Sequence, residues 1–311
     1  MGATVIPYLR LMRLPNVMTA WADVAAGFLI ARTVFGGGDW VPFPFLLLAT
    51  SGLYLAGMVF NDIADREEDA RERPHRPIPS GAVTPHGAAW CGSGLLLLGV
   101  LAALAAGAFA QDGCHYAPAL WSSLLAVAIL LYDFGAKGTA LGGPLVLGLC
   151  RFLNVQMALS VAPGFVGNLT DAGLFATLYS PALAVGLYAA GLTAFSAQEE
   201  RGARTRAIAL GWCFVAAGLG CAGIFSPQIW VWPGLALLLA IFGWNTVALI
   251  RQGTPAAARN LVRFGVMGFC VLDASLIAGH VGTDAWPYAV ATVLLLVPGL
   301  LLARLLAQKE A

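Results

Sequence analysis

Apolar positions fill the chain in ten long runs, separated by short polar breaks. The runs lie at roughly 14–35, 43–63, 87–109, 118–132, 141–161, 174–197, 207–225, 230–250, 261–280 and 286–306. About 20 apolar residues in a helix cross the hydrocarbon core of a bilayer. Most runs reach that length; 118–132 is short and relies on flanking polar residues at the interface. The pattern predicts an all-α fold, a polytopic transmembrane bundle of nine or ten helices, in one domain over 1–311.

The sharpest change in pattern follows the second run. After Phe60 the chain reads NDIADREEDARERPHRPIPSG over 61–81. If the helix continues, Asn61, Asp65 and Asp69 fall at i, i+4 and i+8 and stack along one face. Three oxygen-bearing side chains at the end of a membrane helix suit a hard cation such as Mg²⁺. Arg71, Arg73 and Arg76 come next, while Pro74, Pro77 and Pro79 stop the helix and stiffen the loop. Carboxylates for a metal beside guanidinium groups for phosphate have the composition of a diphosphate site. The bland alternative is a solvated helix end. Register, prolines and position after a span together argue against it.

Composition narrows the class. Hydrophobic residues make up 59% of the 311 and charged ones 11%, with a mean hydropathy of +0.80. A soluble domain carries roughly 25% charged residues, so the chain belongs in a membrane, among membrane lipids. A net charge of +1 without a basic tail gives no reason to expect nucleic acid. The six cysteines show no metal or redox spacing and read as small core residues. Residues 1–15 lack a signal-peptide pattern, so the first run is expected to anchor the protein.

Of the seventeen Lys and Arg, only Arg32 falls toward the side opposite the charged loops, and Arg151 lies within a run. The breaks at 36–41, 111–117 and 163–173 contain no Lys or Arg. The positive-inside rule then places the charged loops in the cytoplasm and the protein in the cell (inner) membrane. Small residues let membrane helices approach closely, the reading taken for Gly138, Gly142 and the 218–223 stretch.

Ionisable groups inside a span are costly and face a partner or a cavity. Asp23 lies in the first run; Arg151 lies in the fifth, with Asn154 nearly one turn on. Two readings stay open: a buried ion pair that fixes helix packing, or the lining of a substrate cavity. Arg10 and Arg13, ahead of Pro15 and Asn16, sit at the cytoplasmic mouth.

The pattern N-D-x-x-D-x-x-x-D followed by R-P-x-R-P-I-P-S-G resembles the first aspartate-rich motif of the UbiA superfamily of intramembrane prenyltransferases. The resemblance implies a central cavity open to the cytoplasmic side, commonly nine spans, Mg²⁺, a prenyl diphosphate and a lipophilic acceptor of aromatic or quinone type. By that resemblance Asn61, Asp65 and Asp69 bind Mg²⁺–diphosphate, with Asp62 in support from an adjacent face. Arg73, Arg76, Lys137 and Arg204 hold the diphosphate. R-L-P-N is similar to the family's opening motif, so Asn16, together with Arg151 and Asn154, is expected to orient the acceptor.

Tyr132 and Lys137 resemble the family's Y-x-x-x-K region, where both residues border the diphosphate. Here they stand five residues apart rather than four, with Asp133 added. Tyr132 as an ordinary interface aromatic remains the alternative. The family's second motif, D-x-x-x-D, maps onto Ala194 and Gln198, so both carboxylates are missing. Glu199 and Glu200 lie close enough to offer a partial second cation site, with Arg201, Arg204 and Arg206 following. A branch typified by EboC shares this degeneracy and the G-L-C-R-F-L-N stretch. Two readings compete with catalysis: a membrane carrier of a lipophilic precursor, which the damaged second motif favours, and a scaffold in a membrane complex.

Overall fold

The computed structural model describes residues 2–34, 38–110, 115–163, 165, 172–196 and 205–307. The described chain is helical and contains no strand. In order it forms α1 (Gly2–Leu11), α2 (Val17–Val34), α3 (Pro42–Ala64), α4 (Arg66–Glu72), α5 (Pro85–Ala108), α6 (Ala117–Leu131), α7 (Gly142–Leu159) and α8 (Ala172–Ser196). Then follow α9 (Thr205–Phe225), α10 (Trp232–Gln252), α11 (Pro255–Val281), α12 (Trp286–Leu294) and α13 (Leu296–Ala307). Ten stretches of the described residues are long and apolar enough to span a membrane, the upper of the two expected numbers.

Local sequence accounts for the helix ends. Proline stands in the first turn of α3, α5, α6, α10, α11 and α12, where its missing N–H costs nothing. Thr84 and Thr254 cap α5 and α11, each hydroxyl oxygen accepting from the backbone N–H of Gly87 or Ala257. The tenth run, expected as one helix over 286–306, divides at Leu295 into α12 and α13. Pro298 explains the break, because it cannot donate to the carbonyl of Leu294 and its ring crowds that carbonyl.

The interior has two halves that share α2 and α7. One packs α2, α3, α5, α6 and α7 around Phe28, Leu46, Leu53 and Met157. The other packs α2 and α7 to α11 around Tyr188, whose hydroxyl donates to the Gly265 carbonyl at 2.8 Å. Glycine sets the closest approaches. A Cβ on Gly148 of α7 would lie 2.6 Å from the Gly186 carbonyl oxygen of α8, and one on Gly218 would lie 2.8 Å from that of Ala184. The Gly138–Gly142 expectation fails: Gly138 has nothing within 4 Å of a built Cβ, and the nearest atom to Gly142 is Thr139 Oγ1 of its own turn. Cys150, Cys221 and Cys270 are buried as expected, but Cys213 is exposed on the outer face of α9.

The two ends of the bundle differ in chemistry. Arg13 before α2, Asp62 and Asp65 at the end of α3, and Lys137 after α6 meet at one end. The opposite end collects aromatics, with Trp40 near Tyr288 and Trp230 near Trp286, each pair of rings 5.9 Å apart. Arg32, the cation assigned to that side, lies 4.7 Å over the Trp40 ring.

Candidate functional site

The helix of the second span does continue beyond Phe60. Backbone hydrogen bonds run from Asp65 N to Asn61 O, Asp69 N to Asp65 O and Arg73 N to Asp69 O at 2.8–3.0 Å. The ladder bends only at Asp65, between α3 and α4. The expected i, i+4, i+8 register is therefore present along the backbone.

The side chains diverge from it. Asn61 Nδ2 donates to Asp133 Oδ1 at 3.2 Å. Asp65 is paired with Lys137. Asp69, almost fully buried, accepts from Arg76 at 2.6 Å and lies 3.6 Å from Arg73. Asp62 accepts from Arg13 at 2.6 Å, and Arg76 stands 3.6 Å from it on the other side. The proline-rich loop produces this arrangement by folding back: Ile78 and Val83 bury beside Phe60 and Ile63, which tucks Arg76 between Asp62 and Asp69. Arg13 reaches Asp62 from a left-handed backbone conformation (φ 45°, ψ 47°), a strained state for a residue with a Cβ. Arg66 and Arg71 point to solvent.

The five-residue spacing of Tyr132 and Lys137 has a structural explanation. Tyr132–Ala136 is a π-helical turn, in which Lys137 N bonds to Tyr132 O at 3.0 Å across five residues. A single wide turn absorbs one extra residue. Lys137 thus returns to the face it would occupy at four-residue spacing, and Asp133 is the surplus. It is 8% exposed, and its Oδ2 has no hydrogen-bond partner.

From this end a cavity of about 280 Å³ extends between the helices. Asn16, Asn61, Tyr132 and Asp133 border it toward the charged motif, and Leu125, Ile129, Leu192, Val262 and Val266 supply apolar wall. Tyr132 therefore faces the cavity rather than serving as an outward interface aromatic. Asp62, Asp65, Asp69, Arg73, Arg76 and Lys137 stand behind the polar rim and do not line the cavity.

Deeper in the membrane, Arg151 belongs both to an ion pair and to the cavity wall. Its guanidinium donates to Asp23 at 2.8 Å and Thr19 at 2.9 Å. It also lies 4.3 Å over the Phe269 ring. Asn154 donates to Asp23 and to the Ala20 carbonyl, both at 3.1 Å, and accepts from Thr50 at 2.7 Å. Arg151 and Asn154 line the cavity, whereas Asp23 is fully buried behind them.

Sequence reasoning missed Asp273 of α11. It is fully buried, with Asp23 and Arg151 as its charged neighbours, and a hydrogen bond between the two acids requires that one of them carry a proton. The signal was available, since Asp273 interrupts an apolar run just as Asp23 does. Ala194 is buried in α8. Gln198, Glu199, Glu200, Arg201 and Arg204 lie outside the described residues, and Arg206 is exposed.

No three His, Cys, Asp or Glu side chains among the described residues are grouped to hold a metal. Asn61, Asp65 and Asp133 nonetheless present hard oxygen donors at one place. Mg²⁺ commonly needs only one or two carboxylates plus substrate phosphate oxygens. The residues present fit that cation.

Fold and site together define a polytopic helical membrane protein whose interior cavity ends at a polar rim of Asn16, Asn61, Tyr132 and Asp133, with ion-paired carboxylates and basic side chains behind it. Residues 20–268 match the model of the UbiA prenyltransferase family, and the chain belongs to that family. It is similar to digeranylgeranylglyceryl phosphate synthase of Methanosarcina mazei, 36% identical over 161 residues covering 48% of this chain and 52% of the relative. The same enzyme of Sulfolobus acidocaldarius is 24% identical over 250 residues, covering 78% and 81%. The chain spans about half the length of most of the curated relatives it matches. In fold it resembles a solved structure of digeranylgeranylglyceryl phosphate synthase, with TM-score 0.62, 20% identity, and 90% and 99% of the two chains covered. A UbiA homologue from Aeropyrum pernix K1 gives TM-score 0.60 at 18% identity, covering 86% and 98%.

Proposed function

We propose that the protein is an intramembrane prenyltransferase that moves an isoprenoid from its diphosphate to a lipophilic acceptor. The observation that carries this reading is the cavity itself, walled by apolar side chains such as Leu125, Ile129, Leu192 and Val266 and bordered at one end by Asn61, Tyr132 and Asp133, with Asp65–Lys137 behind. A carrier of uncharged cargo has no use for that polar end. The acceptor is of the hydrophobic aromatic or quinone type, and the charged end faces the cytoplasm from the inner membrane.

In the reaction the bond from C1 of the isoprenoid to diphosphate oxygen breaks, and the electron pair leaves with the diphosphate. The acceptor nucleophile then bonds to C1 and gives up a proton. Bound Mg²⁺ would supply positive charge to the departing diphosphate. Asn61 and Asp65 would hold it. Lys137 pairs with Asp65, and Arg76 and Arg73 with Asp69; exchanging a carboxylate partner for phosphate oxygens keeps each cation paired. The α3–α4 segment and α6 end here, and helix C-termini repel anions; the basic side chains offset that field. Asn16 lies beside the start of α2, an end that favours anions. The apolar walls keep water from the allylic cation. Arg151 and Asn154, held rigid by Asp23, orient the acceptor from the deeper wall.

Binding of geranylgeranyl diphosphate to purified protein, with Mg²⁺ and with excess EDTA, tests the reading. Wild type should bind in a metal-dependent manner, and Asp65→Ala should weaken that binding by at least about tenfold. Equal affinity with Mg²⁺ and EDTA in wild type would sink it.

A further inference from the structure

We propose that Asp133 is a ligand of the Mg²⁺–diphosphate complex. The inference rests on the prenyl diphosphate reading above and adds a metal-binding residue to it. Three observations on different levels converge on Asp133. In sequence it is the surplus residue between Tyr132 and Lys137. In backbone geometry that surplus is accommodated by a π-turn rather than by a shift of Lys137, which keeps its pairing with Asp65.

The third observation is electrostatic. Asp133 borders the cavity and is 8% exposed; one carboxylate oxygen accepts from Asn61, and the other has no partner. A buried carboxylate oxygen left unpaired is costly unless it binds a proton donor or a metal. Asp62, Asp65 and Asp69 are each held by Arg or Lys. Asp133 is thus the carboxylate bordering the cavity at this rim, among the described residues, that no ion pair holds, and its Oδ2 is buried. Lys137, Asp65 and Asp62 are its charged neighbours. Asn61 fixes the orientation of Asp133 by donating from Nδ2, as an outer partner orients a metal-binding carboxylate.

The test reads metal binding directly. Mn²⁺ is titrated into detergent-solubilised protein holding geranylgeranyl thiodiphosphate, which ionises poorly, and free Mn²⁺ is followed by electron paramagnetic resonance. Asp133→Asn keeps the shape and an acceptor for Asn61, and should raise the Kd for Mn²⁺ about 10- to 100-fold. Affinity for the thiodiphosphate in EDTA should match wild type. Asp133→Glu, which keeps the charge, should fall between the two. Asp133→Ser retains an acceptor in a smaller volume and gives the same readout if the Asn variant is not recovered folded. An unchanged Mn²⁺ titration in Asp133→Asn overturns this assignment alone, as does an equal loss of ligand binding in EDTA. Failure of wild type to bind Mn²⁺ with the ligand overturns the prenyl diphosphate reading itself.

Discussion

Arg151 carries a full charge deep in an apolar bundle, and its surroundings show how that is tolerated. A charged side chain at mid-membrane costs about 3 kcal/mol on insertion scales. Asp23, Thr19 and the Phe269 ring engage the guanidinium from three directions. Removing one member of a buried pair leaves the other uncompensated, at about 3–5 kcal/mol. Arg151→Met should therefore lower the thermal midpoint in detergent, and Asp23→Asn combined with Arg151→Met should recover more than half of the loss. Additive losses in the double variant would show that the two residues act separately. Asp273 remains in the double variant as a buried acid without a cation, so recovery should be incomplete. At this scale the sequence showed that Asp23 and Arg151 needed explanation, since ionisable residues in apolar runs stand out. It did not show that they meet, because 128 positions separate them.

Helices meet here through glycine, and position decides which glycines matter. At Gly148 even a methyl group would press on the Gly186 carbonyl of the facing helix. Overpacking of this kind costs about 1–3 kcal/mol. Gly148→Ala should reduce the thermal midpoint and the yield of monodisperse protein, whereas Gly138→Ala, facing open space, should leave both unchanged. Equal behaviour of the two would contradict the packing of α7 against α8. The same scale explains the site's motifs. The i, i+4, i+8 register of Asn61, Asp65 and Asp69 was legible because helix periodicity is local. Its outcome was not, because the partners arrive from elsewhere: Arg13 from ahead of α2, Lys137 from beyond α6, and Arg76 by the fold-back of the proline loop. The π-turn was visible only as an irregular spacing.

The whole molecule is polarised. Arg13, Arg73, Arg76, Lys137 and their carboxylate partners gather at one end, and Trp40, Trp230, Trp286 and Tyr288 at the other; interface aromatics with cytoplasmic basic loops are the expected arrangement. Ser80→Cys in the basic loop and Gln228→Cys at the aromatic end, both exposed positions, should report opposite sides. A membrane-impermeant maleimide should label the Gln228 variant in intact cells and the Ser80 variant only after permeabilisation, relative to the parent protein. The reverse pattern would invert the orientation. Sequence alone determined the number of candidate spans to within one, the first carboxylate motif and the family it resembles. These are properties of hydropathy, local period and contiguous residues, which need no knowledge of what packs against what. Only the tertiary structure decided which base holds which acid, that Arg151 both pairs with Asp23 and faces the cavity, that Asp273 joins them, and that Asp133 is left with an unpaired oxygen. Those outcomes depend on helices distant in the chain being brought to one place, and a bilayer interior makes each pairing matter because no water is there to replace a missing partner.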